Sequence, residues 1–156
     1  MSIMGLRASA QEIRFAILER SLDGTIIFVN KDEENRLKYP ATIENIEDRL
    51  YWVKSEVDRI LRINPKITKI LIKTNEFSGT ENAAKRETTY MDAMFLLSAK
   101  ENGISVEKKL NSQIASSSAK AKEYAEKRVG KTDKYWNNTM ADAILVAYRG
   151  IMDAVQ

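Results

Sequence analysis

The stretch EIRFAILERSLDGTIIFVN, residues 12–30, decides how the chain is built. Ile13, Phe15 and Ile17 alternate with Glu12, Arg14 and Ala16, the period-two pattern of a half-buried strand. Ser21-Leu22-Asp23-Gly24 is a turn, because Asp-Gly readily supplies the positive φ that a tight connection requires. Gly24 to Asn30 is then another strand, rich in β-branched and aromatic residues. Upstream, Ile3 to Ser9 is a short apolar run. Three strands with short links predict an antiparallel meander.

Downstream the period changes. Lys31 to Tyr39 is charged and reads as a loop closed by Pro40. Thr42 is a suitable N-cap for a long helix in which Ile46, Leu50, Val53, Val57, Ile60 and Leu61 recur at three- and four-residue steps. Pro65 ends it, and Ile67 to Lys73 is a fourth strand. After a polar loop, Asn75 to Thr80, a helix is predicted from Glu81 to Asn102. It carries Ala84, Thr88, Met91, Phe95 and Ala99 along one face and stops at Asn102-Gly103. Ile104 to Lys108 is a fifth strand. Ser112 opens a helix running to Arg128, and Gly130 to Asn138 is a loop. Met140, Ile144, Ala147, Tyr148, Ile151 and Val155 mark a last amphipathic helix. The order β-β-β-α-β-α-β-α-α predicts one α/β domain over residues 1–156. Its sheet is mixed and five-stranded, three antiparallel strands then two parallel, with helices on both faces.

The 156 residues suit a single core of ordinary size. There is no Cys and no His. This excludes disulfides, thiolate nucleophiles, Cys/His zinc sites and histidine general bases. Any chemistry must use carboxylates, Lys, Tyr or Ser, or a hard cation held by oxygen. The longest strongly apolar run, Ile26 to Val29, is far short of the ~20 residues of a spanning helix. Met1 to Arg7 offers no basic stretch followed by an apolar one, so the expectation is a soluble, cytoplasmic protein without a signal peptide or membrane partner.

The element order resembles the ribonuclease H-like fold, and three segments resemble the RuvC Holliday-junction resolvases within it. Ile3-Met4-Gly5-Leu6-Arg7-Ala8-Ser9 is similar to their first strand, and Ile70-Leu71-Ile72-Lys73 to their fourth. Thr139-Met140-Ala141-Asp142-Ala143-Ile144-Leu145-Val146-Ala147 is similar to the start of their last helix. Leu110-Asn111-Ser112-Gln113-Ile114 is similar to the segment that opens their penultimate helix. The resemblance implies four metal-binding acids and two divalent ions roughly 4 Å apart. Carried over residue by residue, those acids become Arg7, Lys73, Thr139 and Asp142. A constellation of four carboxylates is replaced by two cations, one neutral residue and one anion. Two cations around one carboxylate cannot hold Mg²⁺, so this degenerate site is expected to be catalytically silent. Arg7, Lys73 and Asp142 would instead form a salt-bridged cluster. Asp142 by itself also reads as a first-turn acid that complements the helix dipole.

A displaced site would draw on Glu12, Glu76, Glu81, Glu87 or Asp133, Glu76 being closest in sequence to Lys73. Between Ile104 and Lys134 eight basic residues, Lys108, Lys109, Lys120, Lys122, Lys127, Arg128, Lys131 and Lys134, face four acids. Such a segment would contact phosphates, and Tyr135-Trp136 would stack on a base. Tyr51-Trp52 straddles the apolar stripe of the first helix, and Met91, Met94, Met140 and Met152 read as core. The leading reading is an inactive RuvC-like scaffold, without metal or cofactor, that binds DNA or RNA or a partner protein. The resemblance implies a homodimer. Two others stay open: an active nuclease using Mg²⁺ or Mn²⁺ on Asp142, Glu76 and Glu12, and a structural or regulatory homo-oligomer without nucleic-acid affinity.

Overall fold

A computed structural model describes residues 1–77 and 79–155. Ser78, inside the expected polar loop, lies outside the described residues. The elements are β1 (Ser2–Ala8), β2 (Glu12–Arg20), β3 (Ile26–Phe28), β4 (Arg36–Lys38), α1 (Ile46–Ile63), β5 (Ile67–Lys73), α2 (Ala83–Glu101), β6 (Ser105–Lys109), a 3-10 turn (Asn111–Ile114), α3 (Ala121–Arg128) and α4 (Asn138–Ala154).

The sheet runs β3-β2-β1-β5-β6. β1 is antiparallel to β2 and parallel to β5, and β5 is parallel to β6. The mixed sheet with helices on both faces is as expected, but among the described residues it has six strands. Arg36–Lys38, read as loop, is a short strand that pairs with β2 at Glu12, Ile13 and Arg14. Its charged flanks hid it: only Leu37 is buried. β2 also differs from expectation, being buried from Glu12 to Leu18 rather than on one face. It is a central strand covered on both sides.

Period-two alternation sorts the side chains into two layers. Met4, Leu6, Ile13, Phe15, Ile17, Ile70 and Ile72 meet Val53, Val57 and Ile60 of α1 and Met91, Phe95 and Ala99 of α2. On the opposite face Ile3, Ala16, Leu18 and Leu71 meet α4 through Ala143, Ile144 and Ala147. Contact there is close because Gly5 has no side chain. A Cβ on Gly5 would lie 2.1 Å from the Ala143 carbonyl oxygen, so α4 rests directly on β1.

Helix starts depart from the sequence reading. Asn45, Asn82 and Asn137 are the N-caps, their side chains accepting from the backbone N–H of Asp48, Lys85 and Met140. Each such cap contributes about 1 kcal/mol. Thr42 therefore lies outside α1. The helix expected from Ser112 to Arg128 is broken: a 3-10 turn ends at Ala115, whose φ is +51°, and α3 begins only at Ala121. The Ser116-Ser117-Ser118 run between them is a poor helix former. Ala84 is exposed rather than on the buried stripe of α2, while Met91 and Met140 are core and Met94 and Met152 are half-buried. Among the described residues no helix is long and apolar enough to cross a membrane.

Candidate functional site

On β1 and β5 the residues facing α4 are Ile3, Gly5, Arg7, Leu71 and Lys73. The alternation that buries Ile3 and Leu71 therefore brings Arg7 and Lys73 to the same end of that face. Arg7 donates from Nη1 to the Lys73 carbonyl (3.1 Å) and to Asn75 Oδ1 (3.2 Å). Its Nε lies 3.5 Å from Asp142 Oδ2, on α4. Lys73 is 2% exposed; its ammonium donates to the Thr74 carbonyl at 2.6 Å and stands 4.0 Å from Glu76 Oε1. Thr139 is half-buried in the first turn of α4. Asp142 is not in that turn, because the Asn137 cap makes it the fifth helical residue and the first turn holds no acid. The dipole reading of Asp142 is thereby corrected, and its contact is with Arg7.

The charges in this cluster are poorly compensated. Burial pushes the Asp142 carboxyl up from the ordinary aspartate range, with Arg7 and then Lys73 pulling it down. Burial likewise pushes the Lys73 ammonium down, aided by Arg7 and opposed by Asp142, Glu76 and Asp92. Desolvation thus outweighs the attraction at both Asp142 and Lys73.

Asp92 is the member the sequence reading missed. It is 7% exposed on α2, its Oδ1 has no hydrogen-bond partner, and burial raises its pKa to about 7 against the opposing pull of Arg7, Lys108 and Lys73. One signal was present: Asp92 falls at the four-then-three spacing between Thr88 and Phe95, an acid on the apolar stripe. The centre therefore holds Asp142, Glu76 and Asp92 around two cations, not one isolated carboxylate.

Glu12 lies elsewhere, where it pairs with Arg36 and Arg14 and accepts from Asn137 Nδ2 (3.3 Å). Among the described residues no three acids form a group suited to a metal ion. Asp142, Glu76 and Glu12 are thus not assembled as such a group. Glu76 also accepts from the Asn111 backbone N–H at 2.8 Å, tying the loop after β5 to the 3-10 turn.

The expected basic segment divides into two sets. Lys109 pairs with Glu107 (3.1 Å) and Asp153 (3.8 Å), Lys120 with Glu123 (3.3 Å), and Lys131 with Glu126 (3.5 Å). Arg128 donates to the carbonyls of Ile114 and Ala115, capping the 3-10 turn. Lys108, Lys122, Lys127 and Lys134 are exposed, with no carboxylate within ion-pair distance among the described residues. Trp136 is half-buried against the core beneath α4, and the ring of Tyr135 carries the Arg36 guanidinium 4.1 Å from its centroid. Tyr51 is exposed, whereas Trp52 packs edge-on to Tyr39. Phe77, in the loop after β5, is 90% exposed and was not singled out in the sequence.

Nearly the whole chain superposes on solved structures. Thermus thermophilus RuvC in complex with Holliday junction substrate matches with TM-score 0.78 and 16% identity, over 99% of this chain and 96% of that one. The fold is that of the RuvC resolvases. The yeast mitochondrial Holliday junction resolvase Ydc2 matches with TM-score 0.61 and 14% identity, over 94% of this chain and 76% of that one. A Fowlpox virus resolvase in complex with Holliday junction DNA matches with TM-score 0.57 and 13% identity, over 99% of both chains. No protein-family model and no curated protein matches the sequence.

Proposed function

We propose that this chain is a single-domain, resolvase-shaped nucleic-acid-binding protein that engages branched DNA without cutting it. The observation that carries the reading is the Arg7–Asp142 ion pair with the buried Lys73 ammonium beside it. It supports a centre in which fixed cations replace bound ones. A divalent ion brought among Arg7 and Lys73 would meet two positive charges, and the nearby acids are already partly neutralised by them. Binding needs no metal on this reading. The phosphate contacts fall to the exposed Lys108, Lys122, Lys127 and Lys134, whose ammonium groups are not committed to carboxylates. Two solved proteins of this fold hold Holliday junction DNA, which makes a four-way junction the first ligand to try. A homodimer belongs to the same reading, and the exposed Tyr90 and Leu97 of α2 are available to a second copy.

The test is a mobility-shift titration of a four-way junction, a duplex and a single strand, in EDTA and in Mn²⁺, over a salt series. The expected result is junction binding in EDTA that weakens steeply with salt and leaves every strand intact in Mn²⁺. Strand cleavage in Mn²⁺ would replace this reading with the nuclease. Absence of any binding would leave the structural oligomer, which sedimentation of the free protein would then characterise.

A further inference from the structure

Tyr135, in the loop before α4, is held with a φ of +55°. A bulky side chain disfavours this left-handed backbone, so its neighbours must impose it. Two arginines do. The Tyr135 carbonyl accepts from Nη1 of the fully buried Arg14 at 2.7 Å, and the Arg36 guanidinium lies 4.1 Å from the ring centroid. Arg36 is fixed in turn by Glu12. One face of the ring is therefore backed by a pinned cation. The residue is nonetheless 60% exposed and belongs to neither core layer, so the opposite face is open to solvent. The strain holds an aromatic ring outward.

Beside that ring, a cavity of about 460 Å³ separates the 31–36 segment from the 132–135 segment. Its size lies within the range of small-ligand sites. Asp32, Glu33 and Asp133 line it together with Lys31 and Lys134, all five exposed and, among the described residues, without an ion-pair partner. Acids outnumber lysines here, so the interior does not select a phosphate. It suits a neutral, flat body that brings N–H donors to the carboxylates and a π face to the ring. We propose that Tyr135 receives an unpaired base of the bound DNA, stacked on the ring face opposite Arg36. The inference rests on the DNA-binding reading above, in which Lys134 already holds a phosphate next to Tyr135, and it names the part of the DNA read here. Arg14 pairs with Arg7 across β1 and β2, so the stacking loop stands one strand from the degenerate centre. Every base has a π face, so the site tolerates any sequence.

The experiment is fluorescence anisotropy of the whole chain with labelled duplexes that are fully paired, carry one bulged nucleotide, or carry an abasic residue in the bulge. A fully paired four-way junction and a single strand are titrated alongside. The bulged base should tighten binding about tenfold over the paired duplex, and the abasic bulge should give no gain, which separates stacking from easier bending. Tyr135→Phe should keep that ratio and Tyr135→Ala should bring it close to one. Tyr135→Gly is a second ring-free variant; glycine takes a positive φ without strain, so the loop keeps its course. A bulged 2-aminopurine should lose fluorescence on binding the wild type and keep it with Tyr135→Gly. Equal affinity for bulged and paired duplexes, a gain that persists at the abasic bulge, or a gain that survives both ring-free variants overturns the inference. If the paired junction binds without any preference for the bulge, the inference falls and the DNA-binding reading stands. If the bulge and the single strand bind through Tyr135 while the junction does not, the inference stands and the junction reading falls. If no DNA binds, both fall.

Discussion

Two buried charge clusters are centred on Arg7 of β1 and Arg14 of β2, one strand apart, and they are built to opposite standards. Around Arg14, which is fully buried, Nε and Nη2 donate to the carbonyl and side-chain oxygens of Asn35 (3.2 and 3.0 Å), and Nη1 donates to the Tyr135 carbonyl (2.7 Å). Glu12 takes Arg36 and Asn137. Around Arg7, which pairs with Arg14 across β1 and β2, the carboxylate of Asp142 has an ion pair at 3.5 Å and Asp92 Oδ1 has nothing. Charge density alone does not separate the two. Hydrogen-bond satisfaction does: the Arg14 knot fastens the segment before α4 to β2, whereas the Arg7 cluster leaves one buried acceptor, Asp92 Oδ1, unmet.

The sharpest way to break this contrast is Arg14→Leu. It strands two carbonyls and removes a cation from Glu12, and the expected loss is about 3–5 kcal/mol in urea unfolding. A loss below about 1 kcal/mol would show that the knot is no better satisfied than its neighbour.

The second effect is a pH dependence carried by Asp92. Its folded pKa of about 7 lies above the unfolded value near 4, so the folded state holds a proton that the unfolded state has lost. The corresponding stability is fully present below pH 4 and is lost as pH rises through 7, by about 4 kcal/mol in all. In Asp92→Asn that part of the slope vanishes. The variant should therefore gain on the wild type between pH 4 and pH 8, as read from unfolding midpoints at each pH. Parallel curves for the two proteins would mean that the carboxyl is solvated after all.

The sequence made part of this legible. The alternation at Ile13, Phe15 and Ile17, the apolar runs of residues 3–9 and 67–73 and the three- and four-residue spacing of α1 and α4 reflect burial of whole elements or faces, which many residues report together. β4 was illegible because three residues, two of them charged, carry no period. The break at Ala115 depends on a single left-handed residue, a conformation that alanine does not advertise. Arg7, Lys73 and Asp142 could be brought together through the resemblance to the RuvC resolvases, whose matching positions carry the metal-binding acids, and the Arg7–Asp142 contact agrees with that placement. Asp92 could not, since an acid on a helix reads as surface until its stripe is known to be buried. The strength of the Arg14 knot was hidden too, because Asn35 and Tyr135 are distant in sequence and present backbone as well as side chain.

A smaller effect separates the clusters at the level of one ion pair. Asp142→Asn removes a partner that stands 3.5 Å from Arg7 Nε without a hydrogen bond to it and whose charged form burial already disfavours. The expected cost is about 1 kcal/mol or less at pH 7, well under that of Arg14→Leu, in the same urea experiment.

The smallest expected shift tests the placement itself. Arg7→Asp combined with Lys73→Glu converts two cations and an anion into three carboxylates at the ends of β1 and β5 and on α4. If these positions face one another as the Arg7–Asp142 contact requires, millimolar Mn²⁺ gains oxygen ligands and favours the folded state by mass action. About 1 kcal/mol of such linkage raises the melting temperature of a chain this size by roughly 2–4 °C relative to EDTA. The wild type, with its cations in place, should melt at one temperature in both buffers. A double variant that melts cooperatively in EDTA yet ignores Mn²⁺ would mean that the three side chains do not converge. The Arg7 cluster would then be a set of separate surface-edge contacts, and its contrast with the Arg14 knot would be one of position and not of design.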